Sequence, residues 1–245
     1  MITVIIPTCD RPISFLNEAI ASVLNQSLTA CEIIIVDNGG LPVEEVNLNK
    51  QVKLFRLQPH VGPSRARNFG AAIAKGDYLA FLDDDDFWDP NFLDIAYSTL
   101  KSENTACVYG RIDIWDEGGQ KKFKQLSNAT LNIQTLVVRN PGTGGINLLI
   151  EKKLFWLVGG FQNDLMTSED KALAIEILKL GEKISINSKA IAIARQHYES
   201  SLSSRILPRL RFIIRYRQEV PQLVFFKLVL RIFKLHLKSV FKLKT

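Results

Sequence analysis

Short hydrophobic runs alternate with amphipathic helical patterns through the first hundred residues of this chain. Each run is a few residues long and is bounded by polar or turn-forming residues, so it predicts a buried strand. The predicted strands are Ile2–Ile6, Ile33–Val36, Val52–Leu57 and Tyr78–Leu82. Apolar residues three and four positions apart predict the helices between them. These run from Phe15 to Leu24, from Pro63 to a cap at Gly76, and from Asp89 and Pro90 to Leu100.

Strand–helix alternation of this kind predicts an α/β fold with a mostly parallel central sheet and helices on both faces. The second half of the chain is less regular but continues the pattern. One or two strands are predicted in Cys107–Trp115, and single strands at Ile146–Ile150 and Ala190–Ala194. The predicted helix is Ala172–Leu180, closed by Gly181. Residues 120–145 are polar and glycine-rich, and we interpret them as a loop.

The net charge of +6 is divided unevenly along the chain. Residues 205–245 carry eleven Lys/Arg and one acidic residue, whereas residues 1–204 carry 20 Lys/Arg and 24 Asp/Glu. Within this basic tail, cationic residues recur every three or four positions from Lys227 to Lys242, between apolar residues. The spacing predicts an amphipathic helix suited to an anionic lipid surface. The alternative is a helix packed on the rest of the chain or on a second subunit.

The cysteines and the hydropathy of the chain restrict the cellular compartment that we expect for the protein. Cys9, Cys31 and Cys107 are odd in number and far apart, which favours a reducing environment over a disulfide framework. The N-terminus has no signal-peptide pattern, and no uncharged apolar stretch reaches the ~18 residues of a spanning helix. The broad apolar face of the tail argues against nucleic acid as a partner.

Four consecutive carboxylates, Asp83–Asp86, directly follow the predicted strand Tyr78–Leu82. The carboxyl ends of strands in an open α/β sheet form the ligand crevice. A divalent cation there would hold a carboxylate on one side and phosphate oxygens on the other. The alternative is a solvated acidic turn.

Asp37 also follows a strand and precedes Asn38-Gly39-Gly40, so it is either a second ligand-binding carboxylate or an Asx turn.

Arg65 and Arg67 occupy the first turns of a predicted helix, where acidic residues are normally preferred. Their position indicates that they face an anion, either a phosphate or the acidic run.

Asp170, in the pair Glu169-Asp170, is a candidate general base near a predicted helix start. Its alternative is a capping box with Thr167.

These motifs, in this order, resemble glycosyltransferase family 2, whose members have a GT-A fold. The motifs are Val4–Thr8 with Arg11-Pro12, Ser22–Ser27, Glu32–Gly39, Ala66–Gly70, Asp83–Asp86, Gly159–Phe161 and Ser168–Asp170. The resemblance covers residues 2–203. It implies a GT-A catalytic domain at 1–203, with a nucleotide-binding half at 1–100 and an acceptor-binding half at 101–203, followed by the tail at 204–245.

The resemblance also implies roles for individual residues. Thr8, Arg11 and Asp37 would surround the base and ribose of a UDP-sugar, Arg67 would approach its diphosphate, and Asp84 would complete this donor-binding set. Asp83 would face the ribose or the metal, and Asp85 would be the main ligand of Mn²⁺ or Mg²⁺. Asp170 would be the catalytic base. His197 would complete the metal shell or contact a phosphate; the alternative is a surface or packing residue.

The expected reaction is inverting transfer of a hexose or N-acetylhexosamine to an acceptor hydroxyl, because a metal can stabilise the leaving diphosphate and a base can activate the hydroxyl. The resemblance and the tail together predict a lipid-linked glycan acceptor and a cytoplasmic protein at the inner face of the membrane. Two alternatives remain: a nucleotidyltransferase of similar architecture, and a catalytically silent membrane-associated binding protein. A nucleotidyltransferase would usually carry a glycine-rich loop where this chain has Thr8–Pro12.

Overall fold

The computed structural model describes residues 1–43, 46, 50–116, 119, 121–124, 131–165, 167–196 and 206–242, with the backbone alone at 121–124 and 235–242. The strands are β1 (Ile2–Thr8), β2 (Glu32–Asp37), β3 (Val52–Arg56), β4 (Tyr78–Phe81), β5 (Phe87–Trp88), β6 (Cys107–Trp115), β7 (Lys121–Lys124), β8 (Leu148–Glu151) and β9 (Ile184–Arg195). The helices are α1 (Ile13–Leu24), α2 (Pro63–Ile73), α3 (Phe92–Ser102), α4 (Ile133–Val138), α5 (Lys152–Leu157), α6 (Glu169–Lys179), α7 (Ile206–Arg215) and α8 (Gln222–Lys242).

The strands form one sheet in the order β3-β2-β1-β4-β8-β6-β9-β5, with β7 beside β6. Strands β3, β2, β1 and β4 are parallel, so their carboxyl ends lie at the same edge. Strand β8 is antiparallel to β4 and to β6, and β9 runs parallel to β6. The predicted α/β class is confirmed. The parallel arrangement belongs to the first half, and the second half is mixed.

Both faces of the sheet are covered, as predicted. Successive side chains of a strand point to opposite faces. In β1, Val4 and Ile6 therefore join a core with α1 and α3, whereas Ile5 joins a second core with α2 and α6. All seven residues of β1 are buried, and five of them are apolar or proline, which suits this two-sided burial.

Two predicted helix ends are wrong. Helix α2 ends at Ile73, and Gly76 lies against β1 instead of capping it, donating its N–H to Thr3 Oγ1 over 2.9 Å. A Cβ at Gly76 would lie 2.6 Å from the Thr3 nitrogen, so close approach explains this glycine. Helix α3 begins at Phe92, because the Asp89 carboxylate accepts from the Asn91 N–H in a turn before the helix.

The sequence patterns missed several short elements. Strand β5 has two residues, Phe87 and Trp88, which is too short for a periodic signal, and it pairs with β9. The region interpreted as a loop at 120–145 contains β7 and α4, while its residues 125–130 lie outside the described part of the chain. Strand β9 is longer than predicted: six further residues, Ile184–Lys189, precede the predicted strand, and Arg195 follows it.

One face of the tail packs on the core that contains α6. Phe212, Tyr216, Leu228 and Ile232 of this segment are buried in the same core as α6. Of the two predictions for the tail, packing on the rest of the chain is therefore confirmed for this face of α7 and α8. The other face of α8 exposes Leu223, Phe226, Leu230 and Phe233. In the ranges given above, we find no helix with the length and apolar content needed to cross a membrane.

We expect Phe212→Ala to destabilise the protein by about 3–5 kcal/mol, because it removes a side chain that is 2% exposed and leaves a cavity. In thermal unfolding the midpoint would fall on the order of 10 °C. The matched control is Leu207→Ala on the same helix, where the side chain is 70% exposed and little change is expected. Equal effects of the two substitutions would contradict the packing of α7 on the core.

Candidate active site

A cavity of about 930 Å³ opens at the carboxyl edge of the parallel strands. One wall is formed by the segment after β1 and by the acidic run after β4. The loop at 140–146 and the N-terminus of α6 form another part of the lining. The cavity therefore lies where open α/β sheets bind ligands, between segments from both halves of the sheet.

The acidic run forms a largely buried wall. Asp84, Asp85 and Asp86 are 7–9% exposed. Thr8, at the end of β1, donates its hydroxyl to Asp84 Oδ2 over 2.6 Å, and Arg11 Nη2 lies 2.6 Å from Asp85 Oδ2. These contacts follow from the register, because Ile5 pairs with Phe81 and the two strands then deliver their next residues to the same edge.

The carboxylates of this wall are crowded. Burial, together with the charges of Asp85 and Asp83, raises the pKa of Asp84 to about 7, although the Thr8 hydrogen bond opposes the shift. Burial and its acidic neighbours also raise the pKa of Asp86 well above the usual range. Among the described residues, Arg11 and Arg67 bring two positive charges against four carboxylates. The four carboxyl groups offer a set of oxygen ligands that fits a hard divalent cation, and such a cation would favour the ionised forms of Asp84 and Asp86.

Arg67 joins the acidic wall to the opposite side of the cavity. Its side chain is 6% exposed; Nη2 lies 2.5 Å from Asp83 Oδ1 and Nη1 lies 3.0 Å from Glu169 Oε1. Burial alone would lower the pKa of Arg67, but the two carboxylates raise it, so the guanidinium stays charged. The orientation toward the acidic run was one of the two alternatives for the arginines of α2. A diphosphate contact stays a prediction.

Asp37 lies beneath the cavity and is not among its lining residues. It is 1% exposed, and its oxygens accept from the Gly39 N–H at 2.9 Å, the Val43 N–H at 3.1 Å and Arg56 Nη1 at 2.6 Å. The Asx-turn alternative is therefore present in the structure. The neighbouring Asn38 lines the cavity instead, and the nucleotide-binding role of Asp37 stays a prediction.

Asp170 lies in the first turn of α6 and lines the cavity. Burial, and then the charge of Glu169, raises its pKa to about 6 despite the Lys171 N–H that donates to Oδ1 over 2.8 Å. Helix α6 has Ser168 at its N-cap, so the capping box with Thr167 does not form. Among the residues that the structure describes, the buried Thr167 hydroxyl has no hydrogen-bond partner.

Sequence reasoning missed Asn140 as a site residue. Its Nδ2 donates to the Thr143 carbonyl at 2.7 Å and reaches Asp170 Oδ2 at 3.4 Å, while its Oδ1 accepts from the Gly142 N–H. The loop also approaches Arg67, since a Cβ on Gly145 would lie 3.4 Å from the Arg67 guanidinium carbon. The glycine-rich stretch Gly142–Gly145 was the available signal.

The structure thus brings Thr8, Arg11, Arg67, Asp83, Asp84, Asp85 and Asp170 to one cavity. His197 lies outside the described residues, so its metal-binding role stays a prediction.

Comparison with known proteins adds an independent observation. A model described as glycosyl transferase family 2 matches residues 3–159. An uncharacterized glycosyltransferase from Haemophilus influenzae is 32% identical over 186 residues, covering 73% of this chain and 72% of that protein. WfgD of Escherichia coli, a UDP-Glc:alpha-D-GlcNAc-diphosphoundecaprenol beta-1,3-glucosyltransferase, is 26% identical over 86% of this chain and 83% of its own length. The succinoglycan biosynthesis protein ExoW of Rhizobium meliloti is 31% identical over 56% of this chain and 44% of its own length.

The fold, the cavity and these matches define a glycosyltransferase. The chain belongs to glycosyl transferase family 2, whose model covers well over half of it. The predicted family and its GT-A type of α/β fold are confirmed.

We expect Asp170→Asn to make the protein more stable at pH 8 than the parent by roughly 1–2 kcal/mol, after allowance for solvent screening of a partly exposed group. The folded state holds this proton with a pKa of about 6, against 3.8 normally, so the parent loses stability as the pH rises through 6. The gain should therefore disappear near pH 4. Thermal unfolding across pH 4–8 in EDTA measures it.

The control is Asp77→Asn, because an ion pair with the N-terminal amine lowers the pKa of Asp77. Asp77→Asn should give no gain in stability at pH 8. A lowered pKa means that the ionised carboxylate stabilises the folded state at that pH, and the substitution removes this charge. A stability difference for Asp170→Asn that does not change with pH would contradict the raised pKa.

Proposed function

We propose that the protein is a metal-dependent, inverting glycosyltransferase that moves a sugar from a UDP-sugar to an acceptor hydroxyl. The observation that carries this proposal is that one cavity contains two kinds of carboxylate, the acidic run Asp83–Asp86 and the separate Asp170. The Asp83–Asp86 wall suits a cation and a diphosphate, whereas Asp170 suits proton transfer. Arg67 holds both sides together.

On the donor side, Asp85 and Asp83 are the proposed ligands of Mn²⁺ or Mg²⁺. The bound metal would act as a Lewis acid and stabilise the charge that grows on the leaving diphosphate. Arg11 lies 2.6 Å from Asp85 and is 41% exposed, so it can turn from this carboxylate to a phosphate. Thr8 donates a hydrogen bond to Asp84 and holds it in place. The proposed base and ribose would lie against Asn38, which lines the cavity next to the buried Asp37.

On the acceptor side, Asp170 takes the proton of the attacking hydroxyl. Oδ1 already accepts the short bond from the Lys171 N–H, whereas Oδ2 has a long 3.4 Å contact with Asn140. Oδ2 is therefore the atom with capacity for the hydroxyl. With a pKa of about 6, the group is ionised at neutral pH yet more basic than an ordinary aspartate, which favours general-base catalysis. A base acting opposite the leaving group gives a single displacement with inversion.

We further propose a glycan acceptor, carried on a lipid, in the synthesis of a bacterial surface polysaccharide. The names of WfgD and ExoW support this context, since one specifies a diphosphoundecaprenol substrate and the other succinoglycan biosynthesis. The exposed face of α8 adds a physical argument. Leu223, Phe226, Leu230 and Phe233 recur along one stripe, and Lys227, Arg231 and Lys234 are exposed on the same helix. Apolar residues flanked by cations suit an anionic interface.

The two alternative functions are weaker. The family match favours sugar transfer over nucleotidyl transfer, and Thr8–Pro12 contains no glycine that would form a phosphate loop. A silent binding protein would not need a carboxylate with a raised pKa opposite an acidic wall. The released product separates the three functions. A glycosyltransferase releases nucleoside diphosphate, a nucleotidyltransferase releases pyrophosphate, and a silent binding protein releases neither.

We expect Asp85→Ala to abolish metal-dependent binding of a UDP-sugar, and Asp170→Asn to retain that binding while transfer falls about 10²–10⁴-fold. Calorimetry with UDP-sugars and Mn²⁺ measures binding, and release of UDP measures turnover. Asp94→Asn is the control, because Asp94 also lies in the first turn of a helix but is exposed on α3. Full transfer by Asp170→Asn would remove it as the base.

We expect the double substitution Phe226→Ser and Phe233→Ser to weaken flotation with anionic phosphatidylglycerol vesicles at least about tenfold, because two apolar side chains no longer enter the interface. Leu41→Ser with Leu157→Ser is the control, since these exposed side chains lie outside α8. Unchanged flotation of the α8 variant, or an equal loss in the control, would contradict the proposed membrane surface.

A further inference from the structure

Three side chains with different metal-binding atoms meet at the rim of the cavity. Cys9 and Asp10 follow β1, and His60 lies between β3 and α2. Cys9 Sγ lies 3.8 Å from Asp10 Oδ2 and 3.7 Å from His60 Nδ1, and His60 Nδ1 lies 3.7 Å from Asp10 Oδ2. The three atoms thus form a nearly equilateral triangle. None of these residues has a role in the mechanism proposed above.

The backbone fixes this triangle. The Gly40 N–H donates to Asp10 Oδ1 over 2.7 Å, which leaves Oδ2 directed at the other two residues. The Asn38 carbonyl accepts from the His60 N–H at 2.6 Å and from the Cys9 thiol at 3.7 Å. Gly39 permits the arrangement, since a Cβ there would lie 2.6 Å from Asp10 Oδ1. Arg56 in turn donates to the Gly39 and Gly40 carbonyls and holds the loop.

We propose that Cys9, Asp10 and His60 form a binding site for a thiophilic divalent cation of the Zn²⁺ class. Tetrahedral zinc with sulfur, nitrogen and oxygen ligands places those atoms roughly 3.4–3.6 Å apart, so the triangle needs to contract by a few tenths of an ångström. Thiolate and imidazole select zinc over Mg²⁺ or Mn²⁺, which prefer oxygen ligands. The site is therefore chemically distinct from the acidic wall at Asp83–Asp86.

The Cys9–Asp10–His60 site lies inside the candidate active site. All three residues line the same cavity as the acidic wall. Three protein ligands leave a fourth coordination position, which water or an oxygen of a bound ligand fills in zinc sites of this composition. Binding replaces the Cys9 thiol proton, which passes to the buffer, so affinity rises with pH. A cation bound here would share the cavity with the nucleotide-sugar donor.

The test uses the full-length, reduced protein and Co²⁺ as a spectroscopic substitute for Zn²⁺. We expect a near-ultraviolet thiolate-to-cobalt charge-transfer band that Zn²⁺ displaces. Cys9→Ser should abolish the band, and His60→Ala should weaken Zn²⁺ affinity at least about tenfold by calorimetry. Both variants alter exposed side chains, and their thermal unfolding reports whether they fold.

Two controls locate the signal. Cys31→Ser removes the other exposed thiol and should keep the band. Asp85→Ala removes the proposed ligand of the acidic wall and should also keep it, which makes this result independent of the proposed function. The proposal is overturned if the parent protein shows no band, if the band survives Cys9→Ser, or if it is lost in Cys31→Ser or Asp85→Ala.

Discussion

A buried guanidinium between two carboxylates ties this site together. Arg67 contacts Asp83 from the acidic wall and Glu169 beside Asp170, while only 6% of its side chain is exposed. Removing either partner of a buried pair leaves an uncompensated charge, which typically costs 3–5 kcal/mol. The placement of the acidic wall relative to the start of α6 therefore depends on one side chain of α2.

The surrounding fold makes this concentration of charge possible. Strand β1 pairs with both β2 and β4, and hydrophobic cores cover it on both faces. That packing holds carboxylates such as Asp84 and Asp86 at positions where their pKa values are raised. Crowding like charges is unfavourable, and a cation bound there, as proposed above, would relieve it. Strained or destabilised polar groups of this kind concentrate at functional sites.

Sequence patterns predicted the first half of the fold well because each strand there is a buried run with a polar end. The acidic run was identified because four carboxylates after a buried strand suit a cation, although a solvated turn was the alternative. Asp170 was identified through the resemblance to glycosyltransferase family 2, because an acid in the first turn of a helix is also explained by capping. Elements such as β5 and α4 were missed because two to six residues give no periodic signal. Asn140 was missed because its contact with Asp170 spans a loop whose path the local sequence does not encode.

The sequence by itself determined the class of fold, the family and the residues at the strand ends, because hydrophobic periodicity and ordered motifs are local properties. Tertiary structure alone decided which of those residues meet. It placed Asp37 under Arg56 and outside the cavity lining, joined Arg67 to Glu169 across 102 positions, and gathered Cys9, Asp10 and His60. It also packed one face of the basic tail on the core. These outcomes depend on strand order and register, which bring distant positions together and leave no signature along the chain.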